Sequence, residues 1–380
     1  MFGSGSKVQA LSHCLLPGLV FQSVIVGGGY GTGREIAEFF IGHGPLGGLL
    51  AMLVACVAWG VVLAVAFEFA RVSRAYDYRS FFKALLGRFW GLFEVIYLLI
   101  ALLVLAVLGS AAGELLYETL GVPKTVGAIL LMGAVGALVY FGSSVVERAL
   151  AYWSILLYIV YGLLVIWVIA AFGDVIGLHL STGEVLGAWH LDGLRYAAYN
   201  LNALAATLFV LTHLKTRQQS IGAGLLAGLI GILPGLFVYV SMLAQYPQIA
   251  DAPVPITDLL HALNALWFFV VFQVVLFGTF IETGAGIIHA INERVASAFQ
   301  ESKRKFPAWA RLAIAIGAMA VAVFLADAFG ITSLIARGYG LLSYAFIVVV
   351  VLPLLTLGVR SILITGRQTS RPHVHFKETA

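Results

Sequence analysis

Residues 27–40 read GGGYGTGREIAEFF, at the centre of the longer run LLPGLVFQSVIVGGGYGTGREIAEFFIG over 15–42. The run is apolar and exceeds the roughly 20 residues that a bilayer span requires. Yet five of the seven positions from 27 to 33 are glycine: Gly27, Gly28, Gly29, Gly31 and Gly33, with Tyr30 and Thr32 between them. Each glycine costs a helix about 1 kcal/mol relative to alanine, so the stretch opposes continuous helix by several. Backbone unwound at membrane depth is tolerated only where protein buries it or where it lines a cavity. A helix broken there offers carbonyls from its first half and N–H groups at the start of its second. The carbonyls suit a cation and the N–H groups suit a carboxylate. The stretch therefore predicts a solute site inside a helical membrane protein.

The whole chain agrees. Of 380 residues, 61% are hydrophobic and only 11% charged, against about 25% charged in ordinary soluble proteins. Soluble enzymes and nucleic-acid binders are excluded on that ground. The 42 glycines fit membrane helices, where glycine is common. Cys14 and Cys56 lie in or beside apolar segments and imply no disulfide framework.

Ten segments are candidate spans: 15–41, 47–70, 91–117, 123–142, 149–172, 194–214, 220–244, 264–290, 308–328 and 332–358. With the N-terminus placed in the cytoplasm, the outer side keeps only Arg34, Lys124, Arg195 and Arg337 of the 22 lysines and arginines. The remaining 18 fall on the cytoplasmic side, a distribution that sets orientation and places both termini there. The basic balance thus marks a face of the bilayer, and a nucleic-acid partner has no support.

An odd number of spans per half inverts the second copy of a repeat, so a five-plus-five division is expected. It makes 15–172 and 173–360 the two repeats, flanked by cytoplasmic segments 1–14 and 361–380. Residues 77–90 (DYRSFFKALLGRFW) place Phe81, Phe82, Leu85, Leu86 and Phe89 at helical spacing, as in an interfacial amphipathic helix. Residues 255–265 (PITDLLHALNA) begin with Pro255, carry Thr257 or Asp258 near the start, and predict a short outer helix. Each follows the second span of its half, about 175 residues apart, as an inverted repeat requires.

The motif at 27–40 resembles the first-helix motif of bacterial YkvI-type membrane proteins: glycine, small, glycine, aromatic, small, Ser/Thr, glycine, Gln/Arg, Glu, then an apolar run. Those proteins are similar to the amino acid–polyamine–organocation superfamily. The resemblance implies an all-α, LeuT-like five-plus-five inverted repeat in the bacterial inner membrane, with its site between spans 1, 3, 6 and 8. It implies no particular substrate. The sequence departs from better-known transporters in span 6, which lacks a Gly/Pro break. Asn200 and Asn202 stand at its middle instead, and asparagine competes for backbone hydrogen bonds. Either local unwinding or a continuous helix with two polar contacts fits them.

Ionisable and hydroxyl groups within spans are functional candidates. Glu35 joins the glycine stretch, Asn200 and Asn202 as solute-binding candidates. Arg34 and Glu38 stand at i,i+4 spacing, and Arg337 early in span 10 is where the superfamily places part of its outer gate. A pair between Glu35 or Glu38 and Arg337 is the expected gate. Thr279 and Thr283 share a helical face in span 8. Facing the carbonyls of span 1, they would make an oxygen site for Na⁺ as coupling ion, resembling the sodium site of many LeuT-like transporters; back-bonding to their own helix is the alternative. Glu282 beside them is a proton-carrying candidate. No lysine occurs in span 5, where some proton-coupled relatives carry one.

Glu68 and Glu94 read as interfacial ion pairs, and His213 and His261 as interfacial residues. The pair at 373 and 375 is too isolated for a metal site. No nucleophile elbow or H-E-x-x-H pair appears, so nothing points to an enzyme or to a resident cofactor. The expectation is a secondary transporter of a small amino-acid-like or organic solute, coupled to Na⁺ or H⁺. The competing readings are a membrane sensor on the same fold and a channel.

Overall fold

The computed structural model describes residues 4–140, 143–301 and 307–369, and among them every regular element is helical. In chain order these are α1 (Ser4–Ile25), α2 (Gly28–Gly31), α3 (Arg34–Phe39), α4 (Pro45–Ser73), α5 (Tyr78–Leu86), α6 (Trp90–Leu120), α7 (Lys124–Tyr140) and α8 (Ser143–Ser181). There follow α9 (Trp189–Asn200), α10 (Leu204–Thr207), α11 (Arg217–Met242), α12 (Pro255–Ala262), α13 (Leu266–Glu301), α14 (Ala308–Ser333), α15 (Gly340–Phe346) and α16 (Val359–Thr369). Among the described residues six helical runs are long and apolar enough to cross a membrane, and two shorter apolar helices lie at Cys14–Ile25 and Lys124–Val139. Two of the six join neighbouring predicted elements: Tyr78–Leu120 carries α5 into α6, and Trp309–Thr365 carries spans 9 and 10 without a loop.

The helices sort into two packed groups. In one, α4 lies along α11 and α9, and α1 lies along α11; in the other, α6 packs on α7 and α14, and α13 on α7 and α8. Small residues make the first group close. A Cβ on Gly228 would stand 2.5 Å from the Gly60 nitrogen and 2.6 Å from the Cys56 carbonyl, so α11 and α4 approach backbone to backbone. The G-x-x-x-G spacing of span 7 serves packing of this kind.

The two connecting helices fall where sequence periodicity puts them. Asp77 caps α5, its carboxylate accepting from the Ser80 N–H at 3.0 Å, and Phe81, Phe82 and Leu85 are buried while Phe89 is exposed. Pro255 occupies the first turn of α12, where its missing N–H costs nothing. Thr257 and Asp258 lie inside that turn rather than capping it; Val254 holds the cap position. The expected boundary between 172 and 173 falls within α8, at Phe172, whose φ of −127° kinks the helix.

Span 6 is neither unwound nor a plain α-helix. After Asn200 it tightens into a 3₁₀ turn over Leu201–Ala203, returns to α over α10, and tightens again over Leu208–His213. Both asparagines bond back to their own helix: Asn200 Nδ2 donates to the Tyr196 carbonyl at 3.1 Å and Asn202 Nδ2 to the Tyr199 carbonyl at 2.5 Å. The last span contains three π-helical stretches, Leu334–Tyr339, Ile347–Val351 and Leu354–Gly358.

Candidate functional site

The glycine stretch interrupts the first span twice. α1 stops at Ile25, and Val26 and Gly27 leave the helix. One turn, α2, is closed by the Gly31 N–H donating to the Gly27 carbonyl at 2.7 Å. Thr32 and Gly33 then turn the chain, with Gly33 at φ 78°, a left-handed conformation that glycine adopts without strain. The Thr32 hydroxyl donates to the Gly29 carbonyl at 2.9 Å and accepts from the Arg34 N–H at 3.3 Å. Tyr161 on α8 donates to the Gly31 carbonyl, and the Thr32 carbonyl accepts from the Ile256 N–H at 3.1 Å.

That bonding changes the expected anion cradle. The Gly33 N–H is held by the Tyr30 carbonyl at 2.9 Å, the Arg34 N–H by Thr32, and Thr32 and Arg34 are buried. The Gly33 and Arg34 amides thus close a turn inside the protein instead of facing a solute. Gly28, Gly29, Tyr30, Gly31, Thr32 and Gly33 support the site from behind; Gly27 alone of the stretch lines open space.

That space is a cavity of about 620 Å³ between the two groups of helices. Its walls come from 23–27 at the end of the first helix, from 97–104 in the first half of α6, from 157–158 on α8, from 199–206 in span 6 and from 279–290 in the middle of α13. Glu35, Asn200, Asn202, Thr279, Glu282 and Thr283 all line it, as do Tyr97, Tyr158, Tyr199 and Tyr339. Two carboxyl groups and four tyrosines therefore face the cavity, and none of its described lining residues is a lysine, arginine or histidine.

Glu35 reaches the cavity by folding back over Gly29. A Cβ added at Gly29 would collide with the Glu35 carboxyl, so the glycine that weakens the helix also makes room for the acid. The Glu35 carboxyl is buried and accepts from the Tyr199 hydroxyl. Tyr199 stacks on Tyr339 with ring centroids 4.4 Å apart, and Phe39 lies against Tyr199 at 5.7 Å. Tyr199 and Tyr339 line the cavity directly and form its roof beside Glu35.

Thr279 is buried and donates to the Val275 carbonyl at 2.9 Å, the back-bonded alternative. Thr283 faces the interruption, its methyl carbon 3.7 Å from where a Gly27 Cβ would stand. Glu282 lines the same wall.

Arg34, next to Glu35, anchors a further layer of polar contacts. Arg34 Nη2 pairs with Glu38 at 2.8 Å, while its Nη1 donates to the Ala250 and Ala252 carbonyls at 2.7 and 2.9 Å. The expected pairing of Arg337 with Glu35 or Glu38 is absent: Arg337 is exposed. It sits in the π-helical stretch Leu334–Tyr339, whose wider turn aims Tyr339 inward and Arg337 outward. Asp192 and Arg195 supply the polar contact on that side. Asp192 accepts from Arg195 at 2.6 Å and faces His43 Nε2 at 3.0 Å, and Ser343 donates to the Arg195 carbonyl at 2.9 Å.

Glu68 pairs with Arg71 at 2.6 Å, and Glu94 with Arg294 at 2.9 Å, both as ion pairs. His213 and His261 are exposed. Positions 373 and 375 lie outside the described residues. Among the described residues no group of three His, Cys, Asp or Glu could hold a metal ion, and Cys14 and Cys56 are free thiols. Sequence reasoning missed the roof tyrosines and the His43–Asp192 contact. Tyr199 adjoins Asn200 and could have been found as a polar ring beside a polar interruption; Tyr339 carries no local signal.

No family model matches the chain. It is 24% identical over 343 residues to the uncharacterized membrane protein YkvI of Bacillus subtilis (strain 168), with 86% of this chain and 90% of that one covered. Among solved structures it is similar to MhsT in complex with L-phenylalanine, at TM-score 0.55 and 16% identity, covering 93% of this chain and 98% of that one. It is also similar to a mutant form of the Eremococcus coleocola manganese transporter, at TM-score 0.56 and 12% identity, covering 96% of this chain and 86% of that one. Apolar helices, a YkvI-like sequence and these two neighbours together describe a multi-pass membrane protein that resembles YkvI and has the LeuT-like fold.

Proposed function

We propose that the protein is a secondary transporter that carries a small solute by alternating access, with ten spans and both termini in the cytoplasm. In this reading the described state is open inward and closed outward. The distribution of lysine and arginine supports the orientation. The roof of Tyr199 and Tyr339 and the Arg34–Glu38 contact beyond it support the outward closure.

The observation that carries the reading is Glu35: a buried carboxyl at a helix interruption, facing a cavity walled by tyrosines and free of basic side chains among its described lining residues. An intramembrane acid of this kind marks a solute or ion pathway. Tyrosine faces attract cations, and a carboxylate adds a charge-assisted hydrogen bond. The solute is therefore an organic molecule with a cationic group, an amine being the simplest, its charge held at Glu35 and its body against Tyr97, Tyr158 and Tyr339. Asn200 and Asn202 keep carbonyl oxygens for its polar hydrogens, since their amide groups are spent on the backbone. Na⁺ or H⁺ supplies the coupling, with Thr279, Glu282 and Thr283 on the wall opposite span 6.

A thermal-shift screen of amines and amino acids, with and without Na⁺, tests this, because a ligand that binds the folded state raises its apparent stability. The expected result is stabilisation by amines, followed by saturable flux of the same compound in proteoliposomes. Binding without flux would support the sensor reading, and flux that does not saturate a channel.

A further inference from the structure

Glu35 has a second property, which the solute reading leaves unused. Its surroundings contain hydrogen-bond donors and aromatic rings but no fixed positive charge among the described residues. From span 6 it meets the Tyr199 hydroxyl, with the Tyr196 ring packed beside Tyr199 at 5.7 Å. From the last span it meets Tyr339, stacked on Tyr199. From its own span Tyr30 is buried nearby, its hydroxyl without a partner. The adjacent base, Arg34, is committed to Glu38 and to the carbonyls of Ala250 and Ala252. Across the cavity the charged group is another acid, Glu282.

A carboxylate shut away from water costs several kcal/mol unless a cation or several hydrogen bonds compensate it, and otherwise it takes up a proton. One tyrosine hydroxyl is a single donor. With the cavity empty of solute, none of its described lining residues is a fixed cation that could offset the charge. Glu35 itself lines the cavity, together with Tyr97, Asn200 and Glu282, so a proton released from it passes into that space.

We propose that Glu35 is the exchangeable-proton site of the transport cycle: it carries a proton when no cationic solute occupies the cavity and releases it to the cavity water when one does. Proton and solute cation are alternative partners of one carboxyl, so loading one unloads the other. The proposal rests on the reading of this cavity as the transport site, but it locates the coupling ion on span 1 instead of on Thr279, Glu282 and Thr283.

Infrared spectra of the purified, solute-free full chain test it, since a neutral carboxyl and a carboxylate absorb at separate carbonyl frequencies. At neutral pH the wild type should show a neutral-carboxyl band that disappears in Glu35→Gln and persists in Glu282→Gln. Tyr199→Phe, which removes the one donor while keeping the ring, should shift the band without abolishing it. Raising the pH should convert the band to carboxylate in the wild type and leave the Glu35→Gln spectrum unchanged in that region. A band lost in Glu282→Gln but retained in Glu35→Gln would overturn the proposal, as would the absence of any Glu35-dependent neutral band. Should Glu35→Gln fail to fold, the shift in Tyr199→Phe decides, because only a proton on Glu35 makes the band respond to that hydroxyl. The spectra need no solute, so their failure leaves the transport reading standing, and an absence of flux leaves the proton site standing.

Discussion

His43 lies between two acceptors: its Nε2 is 3.0 Å from Asp192 Oδ2 and its Nδ1 3.1 Å from the Leu186 carbonyl oxygen. A neutral imidazole has one N–H and can satisfy only one of them; the imidazolium satisfies both. The contact ties the corner after the first span to the loop entering span 6. The same loop accepts the Leu46 and Gly47 N–H groups on its Glu184 carbonyl, each at 3.0 Å, so the latch also caps α4.

The pH dependence follows. The hydrogen bond to Asp192 raises the His43 pKa, outweighing the burial that lowers it. Burial pushes Asp192 up, but the bonds from His43 and Arg195 outweigh it and hold its pKa below the ordinary value. For a histidine with a raised folded value, the stabilisation is fully present below the ordinary value of about 6.5 and is lost as pH rises through the raised one. For an aspartate with a depressed value, it is present above about 3.9 and lost as pH falls through the depressed one. Thermal unfolding should therefore show the latch contribution in mildly acidic solution and its loss on the alkaline side. His43→Gln should flatten the alkaline limb, removing about 1.5–3 kcal/mol, the range for a hydrogen bond to a charged group. An unchanged alkaline limb in that variant would show that His43 does not titrate in the latch.

Two glycine-to-alanine substitutions should separate site from scaffold. At Gly228 the new methyl meets the backbone of Gly60 and Cys56, which cannot yield locally, so overpacking should cost about 1–3 kcal/mol. At Gly29 it meets only the end of the Glu35 side chain, which can swing away. Gly29→Ala should therefore unfold nearly as the wild type does yet lose stabilisation by amines. Melting curves with and without amine measure both effects.

Arg34 should be sensitive where Arg337 is not. Replacing Arg34 by alanine leaves the half-buried Glu38 and two carbonyls without their donor, and losing hydrogen bonds to a charged group in this way costs about 1.5–3 kcal/mol. Arg337→Ala removes an exposed side chain and should stay within about 0.5 kcal/mol. Equal effects of the two on unfolding would contradict the placement of the outer closure.

Much of this was legible in the sequence because hydropathy and glycine act locally. Residues 27–33 announce their interruption through backbone propensity, residues 77–90 announce a helix through apolar spacing, and Pro255 announces a helix start through a fixed φ. Glu35, Asn200 and Thr283, which line the cavity, stand out in the sequence as polar atoms within apolar runs. Rotational phase was not legible. The expectation for Arg337 rests on where a resembling superfamily places its outer gate, whereas in the π-helical stretch Leu334–Tyr339 it is Tyr339 that is buried and Arg337 that is exposed. Nor was partnership at long range: His43 and Asp192 are 149 positions apart, and neither carries a local sign of the other. The N–H groups at the start of the second half suit a carboxylate because the sequence marks a helix start there, but it does not record that the Tyr30 carbonyl and the Thr32 hydroxyl take up the Gly33 and Arg34 amides.

The central claim, solute carriage through a cavity centred on Glu35, is tested most directly by counterflow of a stabilising amine into proteoliposomes, wild type against Glu35→Gln. The account predicts saturable exchange in the wild type and at least a tenfold loss in Glu35→Gln, as expected from about 1.4 kcal/mol or more of lost charge-assisted binding. Undiminished saturable exchange in the folded Glu35→Gln protein would contradict it.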